Sequence, residues 1–244
     1  MAADSTFVQQ VPVPPLGPRH FLESGDRISR SEFERRYEAM PELKKAELIE
    51  GVVYVGSPVR VEVHGEPHSS ANAWLAVYAA ATPGIRVADN ATVRLDLDNV
   101  VQPDVLLRLA PELAPEAGGR ARRSEDGYLE GAPELVLEVW ASSAAIDHHT
   151  KLHVYRRNGV QEYIVWQGLD RRLEWFVLRD DEYAALEPDA RGMLHSVVFP
   201  GLRLAVSALL DGNLAAVLAE QGAGLDAEEH RRFVAVLGDR LPAR

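Results

Sequence analysis

Six consecutive residues, Leu135-Val136-Leu137-Glu138-Val139-Trp140, constrain this chain more than any others. A nearly continuous apolar run of this length reads as a strand buried on both faces, which requires a sheet covered on each side by other elements. Glu138 interrupts the run. A carboxylate inside a buried strand is costly unless it is paired, protonated or metal-bound. Glu138 is therefore either a salt-bridged residue at a strand end or part of a functional site.

The pattern around this strand predicts a mixed α/β protein with a central sheet. Ser29 or Ser31 is placed to cap a helix through about Tyr37, with Glu34 behind Ser31 as a capping box. The stretch AELIEGVVYVGSP reads as a hairpin broken at Glu50-Gly51. An Ala-rich helix from about His68 to Ala81 stops at Pro83-Gly84. Strands are expected over 85–95, 100–107, 135–140 and 161–166, and a loop over 110–131. A helix over 145–157 ends at the C-cap signal Asn158-Gly159. A hairpin (171–178 and 183–186), a short strand at 196–198 and helices over 207–221 and 226–241 complete the order. The expected organisation is an extended arm over 1–20, a main domain over 21–210 and C-terminal helices over 211–244.

Composition narrows the function. No apolar run reaches the roughly 20 residues of a membrane-spanning helix, so no membrane partner is expected. The N-terminus lacks the basic start and apolar core of a secretion signal. With no cysteine, disulfides and thiolate metal sites are excluded, and the cytoplasm is the expected compartment. A net charge of −11 argues against a nucleic-acid partner unless a basic patch stands apart from the acidic whole. Arg35-Arg36, Lys44-Lys45, Arg120 with Arg122-Arg123, and Arg156-Arg157 are such patches or merely solvated surface.

Magnesium prefers hard oxygen ligands, commonly one or two carboxylates with waters and substrate phosphates. Glu138 offers one carboxylate. Asp104 offers another, in the strand QPDVLLRL directly after a proline that cannot donate to a ladder, although taken alone a Pro-Asp turn is the simpler account of it. Asp147 and Lys151 stand four apart on a helix, either as an ordinary ion pair or with Lys151 turned toward Glu138 to orient a water. His64 and His68 have the spacing of a zinc helix, but Pro67 between them argues against a shared helical face. His148, His149 and His153 read as a solvated helix surface. No G-x-S-x-G elbow, phosphate-binding Walker loop or G-x-G-x-x-G turn is present.

AELIEGVVYVGSP with His68, then QPDVLL, then APELVLEVWASSAAIDHHTKLHVYRRNGVQEYIVW together resemble the bacterial Uma-type restriction endonucleases of the PD-(D/E)XK nuclease superfamily. The resemblance runs from about Arg27 to Leu209. It implies a restriction-endonuclease-like core with a central mixed sheet flanked by helices. It also implies a metal-dependent endonuclease that hydrolyses DNA phosphodiester bonds with Mg²⁺ or Mn²⁺. Asp104 and Glu138 fall on the family's metal-binding acids, and Glu47 and His68 match positions that can approach the metal. The usual lysine two residues after the glutamate is Trp140 here, and Lys151 on the next helix stands in for it as the third catalytic residue.

If Glu47, Asp104 and Glu138 converge, at least one should have a raised pKa without metal, and losing one of them should cost the fold little. A homodimer is expected, because cutting both strands of a duplex calls for two sites, with 160–166, Trp175, Phe176 and the terminal helices offering apolar surface. Two other classes stay open: a non-catalytic interaction protein that keeps the fold, and a metal-dependent hydrolase of a small nucleotide.

Overall fold

The computed structural model describes residues 21–56, 58–113, 118–140 and 147–239. The N-terminal arm, the Ala141-Ser142-Ser143 turn and the side chains of Asp147 and His148 lie outside them.

Helix α1 (Arg30–Glu38) is capped by Ser29, whose Oγ accepts from the Glu32 N–H. The box expected from Ser31 and Glu34 does not form, because Glu34 turns to the Arg94 guanidinium 2.7 Å away. The hairpin of β1 (Ala46–Ile49) and β2 (Val52–Val55) reverses on Glu50 and Gly51, both at positive φ, as a tight hairpin turn requires. A π-helical turn (Val61–Gly65) runs into α2 (Glu66–Ala81), and β3 (Ile85–Asp89) follows. The strand expected over 85–95 is broken at Asn90, φ 47°, where the chain leaves one sheet for another. There it forms β4 (Val93–Arg94) and β5 (Val100–Val101), and it returns after Gln102-Pro103 as β6 (Val105–Leu109).

The loop expected over 110–131 carries a short antiparallel pair, β7 (Arg122–Arg123) and β8 (Leu129–Glu130). Next, β9 (Leu135–Trp140), α3 (Asp147–Arg157) and β10 (Glu162–Gln167) form a unit of two parallel strands joined through a helix. The hairpin β11 (Arg172–Arg179) and β12 (Glu182–Ala185) follows. In place of a single strand at 196–198 stands the pair β13 (Met193–His195) and β14 (Arg203–Ala205). Helices α4 (Val206–Leu210), α5 (Leu214–Leu225) and α6 (Glu228–Gly238) end the described chain. The one helix expected over 207–221 is divided at Gly212, φ 73°.

The main sheet has the order β12-β11-β10-β9-β6-β3, and the second β2-β1-β5-β4-β8-β7. Alternation along β9 sends Leu135, Leu137 and Val139 to one face, where they pack on Trp74, Leu75 and Tyr78 of α2 and on the terminal helices. Val136 goes to the other face, with Leu106, Val154, Tyr155 and inward residues of the second sheet such as Ile49 and Val101. The sheet is thus covered on both sides, as LVLEVW requires. Residues beyond 210 share the α2 cluster through Val217 and Leu237. Val160, Tyr163, Ile164, Val165 and Trp175 are likewise buried within this one chain. Most of the apolar surface offered for a dimer is therefore core, whereas Phe176 is half-buried and Val236 on α6 is exposed.

Candidate active site

Three acids meet where the two sheets face each other. The β6–β9 register pairs Val105 with Leu137, and one step further it sets Asp104 opposite Glu138. Asp104 has the alternation of Leu106, and Glu138 that of Val136, so both carboxylates face the α3 side. Glu47 has the alternation of Ile49 and approaches from the second sheet.

Asp104 is 2% exposed. Its Oδ2 accepts the Val139 N–H at 2.8 Å, its Oδ1 takes the Lys45 ammonium at 3.1 Å, and His64 Nε2 stands 3.4 Å from Oδ2. Burial pushes this carboxyl up, but His64, Lys45 and the Val139 amide outweigh it and hold it well below the usual range.

Glu138 is 3% exposed and Lys151 4%. The Lys151 ammonium lies 2.8 Å from Glu138 Oε1 and 2.9 Å from Glu47, so α3 turns this lysine inward. Tyr155, one helical turn on, donates its hydroxyl to the same Oε1 at 2.7 Å. Glu47 also accepts the Gln102 N–H at 2.7 Å. Burial raises the Glu138 pKa, Lys151 opposes that, and the charges of Asp104 and Glu47 add to it. Burial acts against the Lys151 charge, yet Glu138 and Glu47 hold the ammonium protonated. The Trp140 ring, at the position where a lysine is usual, lies 5.7 Å from that ammonium.

The histidines differ from expectation. Pro67 falls in the first turn of α2, where a missing N–H breaks no helical bond. His64 comes from the preceding π-helical turn, and the two rings stand 5.9 Å apart. His68 bonds the Asp104 backbone oxygen at 2.9 Å through Nε2 rather than a carboxylate. His64, Lys45 and Tyr155 are site residues that sequence reasoning passed over. Lys45 could have been found from its two-residue spacing to Glu47, and Tyr155 from its spacing to Lys151. His149 and His153 are exposed.

Above these groups lies an open cleft of about 530 Å³, walled by Tyr54, Val59, Val63 and Trp140. Of its charged lining, Lys45, Arg60 and Lys151 balance Glu47, Asp104 and Glu138. Two of the four basic groups named from sequence are neutralised: Arg35 and Arg36 clasp Glu32, and Arg156 and Arg157 hold Glu182, Glu50 and Asp96. Among the described residues no group of three or more His, Asp or Glu is gathered to hold a metal. A dication here would rest on two hard carboxylates, Asp104 and Glu138, with waters, a donor set that suits Mg²⁺ or Mn²⁺. Glu47 and His68 hold other atoms of the site in place.

Gly168, just past β10, sets one wall. A Cβ on it would lie 2.2 Å from the Val63 carbonyl oxygen. Gly168→Ala should push the π-helical turn with His64 away from Asp104 and lower stability by about 1–3 kcal/mol. Thermal melting checks this against Gly222→Ala, whose Cβ meets nothing within 4 Å.

Residues 30–207 match the family model Uma2, described as "Putative restriction endonuclease". The chain belongs to this family. Among solved structures it is similar to a protein from Anabaena variabilis ATCC 29413, described as a "putative nuclease belonging to DUF820". The two share 17% identity with a TM-score of 0.55, over 73% of this chain and 97% of that one. Among curated proteins none matches. The mixed α/β, restriction-endonuclease-like core expected from the sequence is thus the fold of this Uma2 member. Among the described residues no helix is long and apolar enough to cross a membrane.

Proposed function

We infer that the cleft hydrolyses phosphodiester bonds in DNA with the help of Mg²⁺ or Mn²⁺ held by Asp104 and Glu138. One observation carries this reading: Asp104 and Glu138 are paired across β6 and β9 at the floor of an open cleft, with an ammonium against each. A bound dication lowers the pKa of a water and neutralises charge growing on the phosphate. Lys151 holds Glu138 and Glu47 beside each other, and Tyr155 fixes Glu138 Oε1. The Val139 amide orients Asp104 Oδ2, and His68 anchors the backbone from which Asp104 projects. Lys45 and Lys151 set positive charge where a phosphate would gain negative charge. Membership in a family described as restriction endonucleases supports DNA as the polymer.

Incubation with supercoiled plasmid tests the reading. Nicking should require Mg²⁺ or Mn²⁺, stop with chelator and be lost in Asp104→Ala. Intact plasmid alongside hydrolysis of a short nucleotide diester would move the substrate to the small-molecule class, which the balanced charge of the cleft favours. No hydrolysis of either would leave the fold as an interaction module.

A further inference from the structure

The cleft holds three cations, and they are not equivalent. Lys151 is 4% exposed, and two of its three N–H donors go to Glu138 and Glu47. It can shape the field but has little left to offer a ligand. The Lys45 side chain is 29% exposed, and among the described residues its one hydrogen bond goes to Asp104 Oδ1. Two of its N–H donors remain for the cleft. The Arg60 side chain is exposed and makes no hydrogen bond or ion pair among the described residues, although most other arginines of this acidic chain are clasped by carboxylates. Arg60 stands at the cleft mouth between Val59 and Val61, which are 64% and 68% exposed.

An arginine left unpaired in a protein of charge −11, at the rim of a cleft whose floor holds three carboxylates, is placed to meet an incoming anion. We propose that Lys45 and Arg60 form the phosphate-binding edge of the cleft. Lys45 grips the phosphate that lies over Asp104, and Arg60 grips a neighbouring phosphate of the same backbone. Lys151 serves as a positioning residue that never touches substrate. This rests on the reading of the cleft as a phosphodiester site, and it adds which side chains contact the ligand. Such contacts carry no base information, so they bind all sequences alike.

The test is fluorescence anisotropy of a labelled duplex oligonucleotide, titrated with the full chain in Mg²⁺ at several salt concentrations on ice. Each phosphate contact contributes about 0.9 to the slope of log affinity against log salt. Lys45→Gln and Arg60→Gln should each lower the slope by about 0.9 and weaken binding roughly tenfold at 0.1 M salt, whatever the sequence. Lys45→Arg, which keeps the charge, should retain the slope and guards against a folding artefact. Arg157→Gln, already tied to Glu50 and Asp96, should leave it unchanged. A parent that binds DNA with a slope unmoved in both Gln variants overturns the phosphate edge and leaves the proposed function standing. A parent that binds no duplex and hydrolyses no diester overturns both.

Discussion

Lys151→Met should cost the fold about 3–5 kcal/mol at neutral pH, the usual penalty for breaking a buried ion pair by removing one partner. Methionine fills nearly the same space, so the loss reports charge rather than packing. Without the ammonium, Glu138 and Glu47 face each other with no cation between them, and Asp104 lies next to Glu138. Burial already raises the Glu138 pKa, and losing Lys151 raises it further. An acid whose folded pKa lies above its unfolded value binds more protons when folded, so stability falls as pH rises through the interval between the two. The variant should therefore be least impaired near pH 4.5 and lose stability as pH climbs from there. Glu138→Gln in the same chain should recover part of the loss, because it removes the charge left uncompensated. Urea unfolding at pH 4.5 and pH 7.5 measures both effects. A loss below 1 kcal/mol with no pH dependence would mean that Lys151 is hydrated and that the three charges are not held as a buried cluster.

The parts of the site that could be read from sequence share one property: each breaks a periodic pattern. Glu138 interrupts an apolar strand, and Asp104 follows a proline at the head of another, so their anomaly is local. Lys151 is legible only through the resemblance, because from spacing alone an i,i+4 pair with Asp147 is the simpler account of the same residues. Lys45 stayed hidden beside Lys44, since a dibasic pair looks like surface. Its two-residue spacing to Glu47 puts it on the same face, but it stands one residue before β1 opens at Ala46, where a strand pattern no longer marks it. His64 was hidden by Pro67, which breaks a helix interior but belongs in a first turn, and helix starts are where sequence patterns blur. In the fold, the long elements follow their periodicity. The two-residue strands β4, β5, β7 and β8 are too short to have one, and tertiary pairing alone creates them. The breaks at Asn90 and Gly212 depend on positive φ, which residue type permits but does not dictate.

Asp104→Asn should lower stability by about 2–3 kcal/mol at pH 7, the scale of a salt-bridged aspartate whose carboxyl is held well below its unfolded value. This reverses the expectation that one of three crowded acids could be lost cheaply. Crowding does raise Glu138, but Asp104 has its own partners, and Lys45, His64 and the Val139 amide favour its charged form. Asparagine keeps the shape and one acceptor for Val139, so the loss isolates the charge. The sign of the pH dependence follows. A depressed carboxyl contributes fully above its unfolded value of 3.8, and that contribution drains away as pH falls through the folded value. Parent stability should thus drop below about pH 4, while the variant, lacking this group, drops less. Metal adds a second contrast. A ligand bound only by the folded state at one hundred times its dissociation constant stabilises by about 2.7 kcal/mol. Mg²⁺ or Mn²⁺ should raise the parent melting temperature at pH 7 and leave Asp104→Asn unmoved. Melting curves with and without metal, at pH 3 and pH 7, separate the two contributions. Equal stability of parent and variant at pH 7 would remove Asp104 from the charge network. An unchanged metal shift in the variant would remove it from the metal.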